Sequence, residues 1–275
     1  MPKFLLRTPG GGGLFSSCAV ILVNDLKPRL STYALAALLL LVVVASADAA
    51  LIRVGRIVVR ADGGFTPQSL PKHSFAPIEF HGRADLAATD SGPVPAVRRL
   101  RLDFDRDGRL STAGLPVCQP AQIEGTTPKK ARQNCAGALV GKGEVAAELP
   151  SLPGLALRSP LSIFNGPRIE GHPTALAHAR TTLPSPETYV MTIPIERRHG
   201  AFSYRATIDV PEFAGGGALT HIEAKIGRHY RFKGRDRSYV SARCSDGVFE
   251  TRGQLLFEEG TVIEGSVFRS CTALL

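Results

Sequence analysis

The chain reads FSYRATIDV from Phe202 to Val210, and apolar and polar side chains alternate along this stretch. Successive side chains of a β-strand point to opposite faces, so a period of two predicts a strand with one buried face and one wet face. Half-buried strands of this kind are typical of antiparallel sheets. The stretch therefore predicts an antiparallel sheet that covers a core with one of its faces.

The same alternation recurs on both sides of this stretch. Residues 100–104 read LRLDF and residues 222–226 read IEAKI, with every second residue apolar. Short turns such as Arg106-Asp107-Gly108 and Ser245-Asp246-Gly247 separate the apolar runs. Because glycine accepts the positive φ that tight turns need, these turns predict hairpins between neighbouring strands.

We predict that residues 50–275 form a single all-β domain, an antiparallel β-sandwich. The segment from Leu219 to Cys271 is expected to be a hairpin meander of four or five strands at its C-terminal end. One short helix is expected from Pro128 to about Cys135, because Thr127 is a favourable N-cap and proline suits the first turn. Two halves of the domain would meet in the Pro-rich stretch near 149–160.

Four cysteines follow residue 49, namely Cys118, Cys135, Cys244 and Cys271, and four cysteines allow three pairings. The pairing between sequence neighbours, Cys118 with Cys135 and Cys244 with Cys271, is the preferred one. A structural zinc site would need closely spaced pairs such as C-x-x-C, which the sequence does not contain. The cysteines therefore predict two disulfides and an oxidising compartment.

An uncharged run from Ser31 to Ala47 precedes this domain. It ends in small residues that suit signal peptidase, so cleavage is expected after Ala47 or Ala49. The stretch before the run is long for the leading region of a signal. Residues 1–49 are therefore expected to be a signal peptide with an over-long N-terminal extension, and the protein to be secreted or held in the cell envelope. A single-pass membrane anchor over about 31–49 is the alternative.

Basic residues outnumber acidic ones, and the formal net charge is +9. The densest basic cluster, RHYRFKGRDR, predicts a basic face formed by Arg228, Arg231, Lys233, Arg235 and Arg237. Such a face would engage an anionic cell-envelope polymer or a membrane surface, whereas no specific nucleic-acid binding is expected. The alternative is a solvated surface that has no partner.

The sequence DFDRDG from Asp103 to Gly108 matches the first six positions of a calcium-binding loop. Asp103, Asp105 and Asp107 would then be the metal ligands. The twelfth position, where a bidentate acid is needed, is Gly114, and strand-like segments replace the flanking helices. A simple hairpin closed by Asp107-Gly108 is the alternative to a calcium site.

Motifs of known chemistry are missing from the sequence. It contains no G-x-S-x-G, no G-x-G-x-x-G, no phosphate-binding loop and no H-E-x-x-H. The sequence therefore identifies no catalytic residue and indicates no cofactor.

Four segments resemble an uncharacterised family of exported proteins from high-GC bacteria. They are Leu102–Cys118 (LDFDRDGRLSTAGLPVC), Asn134-Cys135, Phe164-Asn165-Gly166 and Lys233–Cys244 (KGRDRSYVSARC). The resemblance implies export and a single domain, and it carries no site residue over to this chain.

The function expected from these features is that of a non-catalytic binding or structural module of the cell envelope or extracellular space. Two alternatives remain. A hydrolase acting on envelope glycan or ester would show a cleft lined by acids, or a buried histidine next to one. A carrier of apolar ligands would show a lipid-sized cavity between the strands.

Overall fold

A computed structural model describes residues 49–90, 92–152 and 154–274 of the chain. Within these ranges the strands are β1 (Ala50–Val54), β2 (Ile57–Thr66), β3 (Ser69–Pro71), β4 (Ala76–Pro77), β5 (Glu79–Ala88), β6 (Val97–Asp105), β7 (Gly108–Leu110), β8 (Leu139–Glu148), β9 (Ala156–Asn165), β10 (Thr174–Thr181), β11 (Glu187–Arg197), β12 (Phe202–Asp209), β13 (Ala218–Ile226), β14 (His229–Phe232), β15 (Arg235–Ser238), β16 (Val240–Ala242), β17 (Val248–Phe257), β18 (Val262–Ser270) and β19 (Thr272–Leu274). An α-helix, α1 (Pro128–Asn134), and two 3₁₀ turns, Pro120–Gln122 and Ala136–Ala138, lie between β7 and β8.

The helix lies where the sequence predicts it. The Thr127 hydroxyl caps it by accepting a hydrogen bond from the Lys130 amide at 3.3 Å, and Pro128 opens the first turn. None of the helices in the described ranges is long and apolar enough to cross a membrane. The signal peptide and the alternative anchor predicted up to residue 49 fall on residues 1–48, which lie outside the described part of the chain.

One twelve-stranded sheet dominates the structure, with strands in the order β1-β2-β5-β13-β8-β9-β10-β11-β12-β6-β17-β18. Every neighbouring pair is antiparallel. Of the stretch near 149–160, the first part connects β8 to β9 and residues 156–160 belong to β9, which pairs with β8, so the stretch lies within this sheet. Three small sheets, β4-β16-β7, β14-β15 and β3-β19, accompany it.

The two edges of the large sheet come together. The side chain of Ile52 in β1 occupies the space where a Cβ on Gly265 of β18 would stand. Asp62 of β2 forms an ion pair with Arg269 of β18. The strands therefore curl into an almost closed cylinder, which we call the curled sheet.

Alternation along the strands explains why the sheet curls around an apolar interior. Leu100, Leu102 and Phe104 of β6 line this interior, while Arg101 and Asp103 point outwards. The predicted all-β antiparallel fold with one short helix and two disulfides is confirmed. The meander expected from Leu219 to Cys271 is wrong, because β13 pairs with β5 and β8, β16 with β4 and β7, and β17 with β6 and β18. The predicted sandwich has two packed layers. In the structure, the strands that face each other across the interior belong to one continuous sheet, and this sheet encloses a space.

The disulfides join the sequence neighbours, Cys118 to Cys135 and Cys244 to Cys271, as preferred from the sequence. The first bridge closes the segment that carries α1 on itself, and this segment packs on the outer face of β9 and β10, where Phe164 lies in the same buried cluster as the bridge. The second ties the loop after β16 to the end of β18. Two disulfides indicate an oxidising compartment.

Candidate ligand cavity

The interior of the curled sheet contains a cavity of about 330 Å³. All twelve strands of the sheet contribute side chains to its wall, and these side chains are almost all apolar. Protein interiors normally contain few voids larger than a water molecule. An interior that leaves this much space between its own side chains has the geometry of a ligand site.

Small side chains on the inward face create the space. Strand β10 places Ala175, Ala177 and Ala179 inwards, and all three are buried in the wall of the cavity. The two residues between them, Leu176 and His178, point outwards and are covered by the segment that carries α1. Because alanine ends at Cβ, the inner wall along this strand stands back from the centre of the cylinder.

Aromatic side chains form larger parts of the wall. Phe80 and Phe104 meet edge to face, with ring centroids 5.4 Å apart. Tyr189 and Phe213 form a second edge-to-face pair at 5.2 Å. Burial, together with the hydrogen bond to the Glu187 carboxylate at 2.6 Å, raises the pKa of Tyr189. The Tyr189 hydroxyl therefore already has a hydrogen-bond acceptor within the protein.

Tyr239 differs from the other wall tyrosines. It is 2% exposed, it follows β15 directly, and its hydroxyl has no hydrogen-bond partner within the described part of the chain. Its backbone is held on both sides, since the N–H donates to Arg228 O at 2.8 Å and the carbonyl accepts from Ser111 N at 2.9 Å. Burial raises the pKa of Tyr239, so this hydroxyl is a neutral donor.

The three aspartates of the DFDRDG segment do not share a ligand. Asp103 forms a bidentate ion pair with Arg205 at 2.7 and 2.8 Å. Asp105 accepts hydrogen bonds from the backbone amides of Asp107 and Glu250, both at 2.9 Å. No group of three or more metal-ligating side chains occurs among residues 49–90, 92–152 and 154–274. The hairpin alternative is wrong as well, because β6 pairs with β12 and β17 whereas β7 pairs with β16 in a different sheet.

Asp107 anchors the loop that carries the second disulfide. Its carboxylate accepts hydrogen bonds from Arg243 Nε and from Ser245 N, both at 2.8 Å, and the residue is 1% exposed. Burial alone would raise the pKa of Asp107, but these hydrogen bonds outweigh it and hold the pKa below its usual value. Burial raises the pKa of the neighbouring Asp105, whose charge-stabilising contacts are weaker.

The residues of the predicted basic face lie on the β14-β15 hairpin and beside it. Arg231, Lys233, Arg235 and Arg237 are exposed, and none of them forms an ion pair with another described residue. Arg228 is half-buried, and its Nε lacks a hydrogen-bond partner in the described ranges. The structure thus brings these five residues onto one hairpin, next to Tyr239.

A histidine–aspartate pair lies on the opposite side of the sheet from the cavity. His221 Nδ1 lies 2.7 Å from Asp85 Oδ1, and Arg83 Nη2 lies 2.8 Å from the same carboxylate. Their strand neighbours Ala84 and Ile222 point into the cavity, so the pair points outwards. Burial would raise the pKa of Asp85, but the hydrogen bonds from His221 and Arg83 lower it. This carboxylate serves an outward-facing ion pair rather than the cavity.

Comparisons of the chain with protein-family models, with curated proteins and with solved structures found no match. The cavity was not predicted as the leading feature from the sequence. Its one sequence signal is the repeated alanine on alternate residues of TALAHART, from Thr174 to Thr181. Nothing in the sequence around Tyr239 distinguishes it from the other tyrosines.

Proposed function

We propose that this protein binds and carries a small apolar or amphipathic molecule inside the curled sheet. The observation that carries the proposal is the cavity of about 330 Å³ with an almost wholly apolar wall. Ligand sites of small molecules typically measure about 300–1,000 Å³ and are lined mainly by apolar side chains. Of the functions considered from the sequence, the apolar-ligand carrier is the one that predicts such an interior.

The size of the cavity limits the ligand. Its volume equals that of about eleven water molecules at about 30 Å³ each. A chain of about ten carbon atoms fills a similar volume. Each methylene group moved from water into such an interior contributes roughly 0.8 kcal/mol, so a ten-carbon chain has ample driving force for binding.

The place of action belongs to the same proposal. Two disulfides indicate an oxidising compartment, and the apolar run from Ser31 to Ala47 suggests export. The resemblance to exported proteins supports the same location. A secreted or envelope-located carrier would move a poorly soluble molecule through an aqueous space.

Fluorescence titration tests the proposal. Purified protein with intact disulfides is titrated with N-phenyl-1-naphthylamine, a neutral probe that fluoresces in apolar surroundings, and the probe is then displaced by decane or decanoate. Saturable binding near one probe per chain, with displacement by both compounds, is the expected result. A folded protein that shows no saturable binding of the probe would contradict the proposal.

A second candidate function rests on the β14-β15 hairpin. Its four exposed cations, Arg231, Lys233, Arg235 and Arg237, are free of ion pairs with other described residues, so they remain available to an anionic polymer or membrane surface. Retention on an anionic matrix should fall steeply between low and high salt. Changing Arg235 and Arg237 to Gln should weaken retention strongly, whereas changing Lys129 and Lys130 in α1 to Gln, which removes the same charge, should not. Equal retention of both variants would exclude the hairpin as the binding surface.

A further inference from the structure

Tyr239 carries a polar group that the fold buries without satisfying. Buried tyrosine hydroxyls usually find a hydrogen-bond partner, because leaving one unpaired costs about 1–3 kcal/mol. The Tyr239 hydroxyl has none within the described residues, although the side chain lies in the wall of the cavity and is 2% exposed. A hydrogen-bond acceptor on a bound ligand would supply the missing partner.

The contrast with Tyr230 on the same hairpin is informative. The Tyr230 hydroxyl lies 3.0 Å from the Ala113 carbonyl and 3.3 Å from the Ser111 carbonyl, to which it can donate. The segment after β7 therefore provides acceptors for the Tyr230 hydroxyl, whereas the Tyr239 hydroxyl has none among the described residues. The two backbone hydrogen bonds of Tyr239 hold its main chain in place, and its side chain is 2% exposed.

A second unpaired donor lies across the hairpin from Tyr239. The Tyr239 N–H donates to the Arg228 carbonyl at 2.8 Å, which places the two residues opposite each other, and the buried Nε of Arg228 also lacks a partner in the described ranges. The Arg228 side chain is not among the described residues that line the cavity, so Tyr239 supplies the donor there. Hydrogen bonds from such a donor to charged acceptors are stronger than those to neutral ones. Carboxylate is the smallest such group that an acyl chain carries.

We infer that Tyr239 is the polar anchor of the cavity, and that the ligand is an acyl chain whose carboxylate accepts a hydrogen bond from the Tyr239 hydroxyl. This inference rests on the proposed carrier function and specifies its ligand class. The chain of the ligand lies among the apolar side chains of the wall, and its head group lies at the Tyr239 hydroxyl.

The test compares decanoate, methyl decanoate and decane as competitors of the neutral probe on wild type, Tyr239→Phe and Tyr230→Phe. Tyr239→Phe should weaken decanoate binding about tenfold, which corresponds to one hydrogen bond to a charged group, and methyl decanoate binding less. Decane binding should stay unchanged or strengthen, because it leaves the wild-type hydroxyl unpaired. Tyr230→Phe, which loses only contacts within the protein, should leave the ratio of decanoate to decane affinity unchanged.

The outcomes separate this inference from the carrier function. Equal effects of Tyr239→Phe on decanoate and decane would overturn the anchor while leaving the carrier in place. A wild-type protein that binds none of the three compounds and no probe would overturn the carrier itself. Decane binding by Tyr239→Phe also reports that the cavity of the variant is intact.

Discussion

Filling the cavity should stabilise the protein and weaken ligand binding at the same time. The substitution Ala177→Leu adds three carbon atoms at the middle of β10, where Ala177 lies buried in the wall. Three carbon atoms at about 30 Å³ each would occupy roughly a quarter of the 330 Å³ cavity. The new side chain therefore has room without displacing its neighbours.

The expected magnitude follows from burial and side-chain entropy. Three added carbon atoms contribute about 2.4 kcal/mol at roughly 0.8 kcal/mol each, and fixing a leucine rotamer costs about 0.5–1 kcal/mol. The net gain in the free energy of unfolding is about 1.5 kcal/mol, or a rise of about 3–6 °C in Tm for a domain of this size. A ligand that loses three methylene contacts should bind about 2 kcal/mol more weakly, roughly 30-fold.

Thermal unfolding and probe titration of the same samples check both effects, and Ala131→Leu is the matched control. Ala131 is a fully buried alanine on α1, in the cluster around Cys118 and away from the cavity wall. Overpacking at this site should cost about 1–3 kcal/mol and leave probe affinity unchanged. If Ala177→Leu destabilised the protein as much as Ala131→Leu, the space inside the curled sheet would not exist and the carrier proposal would fail.

Three further substitutions test the packing around the cavity. Burial lowers the pKa of His178, which is 0% exposed, so the unfolded chain takes up a proton before the folded chain does as the pH falls. The free energy of unfolding should therefore drop below about pH 6.5, by up to about 1.4 kcal/mol per pH unit. Guanidinium unfolding of His178→Gln should not show this contribution to the pH dependence. Asp107→Asn should lower the free energy of unfolding at pH 7 by about 3 kcal/mol. The reason is that an amide cannot accept both hydrogen bonds that the buried carboxylate accepts from Arg243 and Ser245. A loss below 1 kcal/mol in urea unfolding would contradict this account. Gly143→Ala would place a Cβ against the Glu223 carbonyl of the neighbouring strand, so Tm should fall by more than 10 °C. The same change at Gly253 in β17, where a Cβ would meet only Leu102 at 3.8 Å, should cost far less.

The elements that depend on local pattern could be predicted from the sequence. Strands β6, β12 and β13 follow the alternation of residues 100–104, 202–210 and 222–226, because a half-buried strand needs a period of two wherever it lies in a sheet. The helix followed from Thr127 and Pro128, whose effects act within one turn. The disulfides joined sequence neighbours, which is the pairing that short loops favour.

The elements that depend on distant parts of the chain could not be predicted. Asp103 and Asp107 matched a calcium loop by their spacing, but Arg205 and Arg243, about a hundred residues away, hold them as ion pairs. Alternation also cannot distinguish two packed layers from one sheet that closes on itself. The size of the interior depends on the number of strands in the sheet and on the positions of small inward side chains such as Ala177. Both depend on how distant strands pair.

The cavity also explains why a chain of this length carries two disulfides. A volume of 330 Å³ without side chains forgoes about 8 kcal/mol of packing, at about 24 cal/mol per Å³. Loops of 17 and 27 residues closed by disulfides contribute about 3 kcal/mol each by restricting the unfolded chain. The first bridge closes the segment that carries α1, and this segment packs on the outer face of β10, the strand whose alanines open the cavity. Stapling from outside therefore offsets much of the packing that is missing inside, and a bound acyl chain would supply the rest.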